Sequence, residues 1–72
     1  MKSPLELQGI AKAGASIKMS AKGRSSLELQ GIAKSIQAGG SLTITDADTK
    51  SPLELQGIAH AGAGKVIFDF TA

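Results

Sequence analysis

The chain has 72 residues, no cysteine, two aromatic residues and a formal net charge of +2. That length allows at most one domain with a marginal core, and the lack of cysteine excludes a disulfide scaffold and a thiolate zinc site. The basic residues (Lys2, Lys12, Lys18, Lys22, Arg24, Lys34, Lys50 and Lys65) form no run, which argues against a nucleic-acid or membrane patch despite a sequence pI of ≈ 9.2.

Apart from Phe68 and Phe70, the apolar residues are mainly Ala, Ile and Leu, in a proportion that suits a folded protein rather than a disordered one. A small chain without staples gains stability from idealised local structure or from oligomerisation, and both are expected here. The start, Met1-Lys2-Ser3-Pro4, carries no apolar signal region, and no stretch of the chain is long and apolar enough for a membrane span. The expected location is therefore the cytoplasm.

One heptapeptide, Leu-Glu-Leu-Gln-Gly-Ile-Ala, occurs unchanged at Leu5 to Ala11, Leu27 to Ala33 and Leu53 to Ala59. It divides a single domain, 1–72, into units 3–24, 25–50 and 51–72. Each copy is preceded by a helix start. In Ser3-Pro4-Leu5-Glu6 the serine suits the N-cap, proline suits the first helical position, and the glutamate completes a capping box. Ser25-Ser26-Leu27-Glu28 and Ser51-Pro52-Leu53-Glu54 repeat the signal. All the glutamates are thus read as helix caps, favoured by the helix dipole, rather than as acid or base catalysts.

In the first unit Leu7, Ile10 and Ala11 form a helical stripe, Lys12 suits the last turn, and Gly14 suits a left-handed stop. Ser16-Ile17-Lys18-Met19-Ser20 then alternates with period two, predicting a strand with Ile17 and Met19 inward. Lys22-Gly23-Arg24 is the turn into the second unit, where Leu29, Ile32, Ala33 and Ile36 extend the stripe. Its extra residues before the strand amount to nearly one helical turn and predict a longer helix ended by Gly39-Gly40. Ser41-Leu42-Thr43-Ile44-Thr45 is the second strand, and Asp46 to Lys50 a polar connection. In the third unit His60 replaces the lysine, Gly62 and Gly64 bracket the helix end, and Lys65 to Thr71 is the most apolar strand.

Helix and strand therefore alternate three times. The fold class expected is α/β: three helix–strand repeats forming a one-sided α/β solenoid, with a three-stranded parallel sheet and all helices on one face. Ile17, Leu42 and Val66 should form one inward row, and Met19, Ile44 and Phe68 the next. The opposite face should carry Ser16, Lys18, Ser20, Thr43, Thr45, Ile67 and Asp69. In repeat length and element alternation the whole chain resembles the leucine-rich-repeat class of α/β solenoids. It departs from that class in lacking the Leu-x-x-Leu-x-Leu-x-x-Asn signature; the sequence has no asparagine. It also resembles short bacterial helix–strand repeat proteins, a resemblance that implies no function. Recent duplication or consensus-style design would each leave such identical heptapeptides.

Two features of the heptapeptide are left over. Leu5, Leu27 and Leu53 lie nearly opposite the core stripe. Each either folds over the previous loop or adjacent helix, or belongs to a subunit contact. Gly9, Gly31 and Gly57 sit inside helices, where each costs about 0.5–1 kcal/mol relative to alanine; a flat spot for a closely approaching neighbour helix would explain them.

Chemistry-bearing motifs are sparse. His60 near a helix end is read as solvated. Asp46 and Asp48 have a cation-binding spacing but lack the rest of a calcium loop. Ala61-Gly62-Ala63-Gly64-Lys65 follows a helix and precedes a strand, the reverse of a phosphate loop. No catalytic, metal or cofactor residues are assigned, and no enzyme is expected. The expected function is a structural or protein-interaction module, self-associating as a homo-oligomer or binding another protein. Leu5, Leu27, Leu53, Val66, Phe68 and Phe70 are the candidate self-association residues, with strand addition along Val66 to Phe70 joining two copies across a two-fold axis. Lys18, Thr43, Ile67 and Asp69 are candidates for binding on the exposed sheet face. Nucleic-acid binding is the alternative, opposed by dispersed charge and few aromatics.

Overall fold

Ser3, Ser25 and Ser51 each hold an extended backbone and start a helix. Each hydroxyl accepts from the amide three residues on, while Glu6, Glu28 or Glu54 reaches back to the serine amide. These capping boxes satisfy amides that the first helical turn otherwise leaves open, and a serine cap is worth about 1 kcal/mol. In the computed structural model, which describes residues 3–70, they open α1 (Pro4–Lys12), α2 (Ser26–Ser35) and α3 (Pro52–Gly62). The strands are β1 (Ile17–Ser20), β2 (Leu42–Thr45) and β3 (Val66–Phe68). They form a parallel sheet in chain order.

The register pairs Ile17 with Leu42 and Leu42 with Val66, then Met19 with Ile44 and Ile44 with Phe68. Both inward rows are those expected from alternation. They pack with Leu29, Ile32, Ala33 and Ile58 from the helices, and Leu29, Ile32, Leu42, Ile44 and Ile58 are fully buried. Removing each such side chain from water contributes about 1.5–3 kcal/mol. Burial is densest in the middle: Leu29 is fully covered, whereas Leu7 and Leu55 in the flanking helices are half-buried.

Two expectations need correction. The added residues of the second unit lengthen α2 by one residue relative to α1, not by a turn. Ile36 leaves the helix with extended backbone and is buried in the core, and a turn from Gln37 to Gly40 leads into β2. Ser35 Oγ donates to the Gly31 carbonyl at the helix end, and Gly39 has φ 90°, a conformation open to glycine. The glycines and the burial of Ile36 together outweigh one more helical turn.

The third strand is shorter than Lys65 to Thr71; Thr71 itself lies outside the described residues. β3 stops at Phe68, opposite Ile44, one residue before β2 itself ends at Thr45. After Thr45 the chain turns at Asp46 (φ 54°) into a 3-10 turn, Ala47–Thr49, whose Ala47 amide donates to the Asp69 carbonyl. As expected, Gly14 reverses α1 at φ 101°, and Gly62 and Gly64 bracket the end of α3, whose reversal falls on Ala63 (φ 49°) between them. A left-handed alanine costs about 1–2 kcal/mol.

Candidate self-association surfaces

The sheet stops at β1 on one side and β3 on the other, and neither outer edge has a strand partner among the described residues. In a parallel ladder successive residues direct their backbone groups to opposite sides. Ile17 N–H donates to Ser41 O and Leu42 N–H to Lys65 O, both at 2.8 Å. Core-facing residues therefore bond to the strand that follows. Val66 and Phe68, the corresponding residues of β3, direct theirs to the outer edge. Beyond them Phe70 is 57% exposed, with its ring centroid 6.3 Å from that of Phe68 and tilted by 49°.

Leu5, Leu27 and Leu53 are each 79% exposed. This excludes the expectation that they fold over a loop or a neighbouring helix. They occupy the same place in the first turn of adjacent helices and make an apolar row away from the core. Val66, Phe68 and Phe70 belong to a different part of the molecule, so the candidate self-association residues make two surfaces. On the outer sheet face, Lys18, Thr43 and Ile67 are brought into one register row, with Lys18 and Ile67 exposed and Thr43 half-buried. Asp69 lies just beyond, where its amide donates to Ile44 O at 2.9 Å.

Reading each helix alone missed how neighbouring units grip one another. The half-buried Gln8 lays its amide over Gly31, with Nε2 2.7 Å from where a Cβ would stand, and Gln30 does the same over Gly57 at 2.8 Å. The glycine is thus a seat for a glutamine side chain rather than a groove for a helix backbone. Ser26 Oγ donates to Glu54 Oε2, a link that Pro4 and Pro52 cannot form at the equivalent position. Ser20 Oγ donates to Asp46 Oδ2 at 2.6 Å, and Lys50 Nζ to the Arg24 carbonyl at 2.6 Å. Arg24, read from sequence as part of a turn, is buried, with its guanidinium 3.9 Å from Glu28. The legible signal was the invariant Gln-Gly pair; the links between loops had none.

The cap carboxylates carry the clearest electrostatic signature. The Ser3 and Ser25 amides hold Glu6 and Glu28 below the usual carboxylate range, and the Ser26 hydroxyl, together with the Ser51 cap, lowers Glu54 from 4.5 to about 2. A depressed folded-state pKa stabilises the fold above the unfolded value, and that contribution disappears as pH falls through the folded value. The stability difference between wild type and Glu54→Gln should therefore be constant above about pH 4.5 and shrink towards pH 2. Thermal unfolding across that range measures it; a difference independent of pH would show that Glu54 is not held ionised by these bonds.

His60 and Asp48 are exposed, and Asp46 is engaged by Ser20. Among the described residues no group of three or more acidic, histidine or cysteine side chains converges to hold a metal ion, and no helix is long and apolar enough to cross a membrane. Compared with known proteins, the chain matches no family model, no curated protein and no solved structure.

Proposed function

We propose that the chain is a structural, protein-interaction module: a leucine-rich-repeat-like α/β solenoid of three units that self-associates through the open edges of its sheet. The observation that carries this reading is the pair of outer strands, β1 and β3, without strand partners among the described residues. Unpaired backbone donors and acceptors along a strand favour the addition of another strand. The β3 edge adds an apolar margin in Phe68 and Phe70, and a small chain has much to gain from burying it. Sedimentation velocity from micromolar to millimolar concentration tests the reading. A mass that rises with concentration is expected, and a strictly monomeric mass throughout refutes it.

A second reading, contact with nucleic acid, draws on the exposed Lys18 beside Thr43 on the outer sheet face and on the pI of ≈ 9.2. It requires a mobility shift with DNA or RNA that weakens as salt rises.

A further inference from the structure

We infer that copies of this chain join head to tail, the β3 edge and α3 flank of one copy meeting the β1 edge and α1 flank of the next. The inference rests on the self-association proposed above and specifies its geometry. Its template is the contact between successive units, which the chain makes twice within itself.

Three features recur in both internal contacts and stop at the ends. The first is the glutamine seat. Gln8 covers Gly31 and Gln30 covers Gly57, and all four residues are half-buried. At the ends, Gln56 is exposed, and nothing lies within 4 Å of a Cβ built on Gly9. The glutamine without a seat and the seat without a glutamine are on the two opposite outer helices of the same molecule.

The second is the isoleucine that follows the glycine. Ile32 and Ile58 are fully buried, whereas Ile10 is 39% exposed. α2 and α3 each have a preceding helix; α1 has none among the described residues, and Ile10 is left partly bare. The third is the ladder. The amides of Ile17 and Leu42 donate to the carbonyls of Ser41 and Lys65 in the following strand. Val66 completes the row begun by Ile17 and Leu42, and Ser16 holds the place equivalent to Ser41 and Lys65. A second copy following β3 would offer its Ser16 carbonyl to Val66 N–H, in the same parallel register.

A two-fold dimer through β3 fits these observations less well. It would set α3 beside α3, with Gln56 opposed to Gln56, and would leave Gly9 and Ile10 of both copies bare. The head-to-tail contact covers all of them. Being heterologous, it does not close after two copies, so it builds rings or filaments.

End-blocked variants separate the possibilities. Gly9→Trp fills the seat on α1, where the folded chain leaves open space. Val66→Pro removes an edge amide at the first residue of a strand, a position that tolerates proline. Circular dichroism checks that both remain folded, with Gln56→Trp replacing the second variant if it does not. Wild type should grow beyond a dimer on sedimentation as concentration rises. Each blocked variant alone should be monomeric, with self-association weakened at least about tenfold, a difference of about 1.4 kcal/mol. Their equimolar mixture should give a heterodimer and stop there, because one copy keeps its head and the other its tail. If wild type associates while Gly9→Trp still forms a homodimer, or if the mixture stays monomeric, the head-to-tail arrangement is wrong and self-association by another surface stands. A monomeric wild type overturns both.

Discussion

Leu29→Ala is expected to cost about 2–5 kcal/mol of stability, whereas Leu27→Ser, two residues earlier in the same heptapeptide, should change it by no more than about 0.5 kcal/mol. Leu29 is fully buried between the helices and β2, while Leu27 is 79% exposed. The larger loss combines lost transfer free energy with a cavity that the middle of a three-helix layer cannot collapse to fill. A domain of this size has only about 4–11 kcal/mol of stability in all, so Leu29→Ala should leave a substantial unfolded population. Urea denaturation at a concentration where the protein is monomeric measures both. Comparable losses from the two substitutions would show that the outer leucine row is covered in the folded chain.

The contrast between two leucines of one motif shows what sequence alone could deliver. Local signals were strong because several agreed at each point: Ser-x-x-Glu, proline at the first helical position, and an alternating strand. The caps and the inward rows followed from them, and single-residue chemistry decides both. Ile36 was harder. A helical stripe and a buried turn place it in the same core, and periodicity cannot tell them apart. The shortening of β3 was not legible in the third unit at all, since it is set by Asp46 turning the chain away from the sheet in the second. The glutamine seats lay in plain view as a repeated Gln-Gly pair. However, one residue belongs to one helix and its partner to the next, so only a juxtaposition of helices reveals the contact. The same holds for Ser26 and Glu54, where the departure of Ser26 from the proline of its counterparts marked the place without naming the partner.

Gly62→Ala should destabilise the protein by about 1–3 kcal/mol through overpacking, although alanine is favoured over glycine in a helix by about 0.5–1 kcal/mol. A Cβ at this position runs into Cγ2 of Val66, with Ala33 Cβ already in contact at 3.5 Å, so the stiff, β-branched Val66 or the helix itself must shift to admit it. Gly9→Ala, by contrast, meets nothing within the chain and, at a concentration where the protein is monomeric, should show the helix gain undiminished. The same substitution in two helices is thus expected to have opposite signs, read as opposite shifts of the denaturation midpoint. Truncating the obstructing side chain provides the control. In a Gly62→Ala/Val66→Ala double variant the added methyl occupies space that the valine has vacated, so the double variant should lose less than the sum of the two single losses. Strict additivity would mean that Val66 is not what Gly62 makes room for. The outcome reaches beyond α3, because Val66 opens the β3 edge. A glycine kept at 62 lets the helix end lie close against that strand, and so sets the position of the open β3 edge.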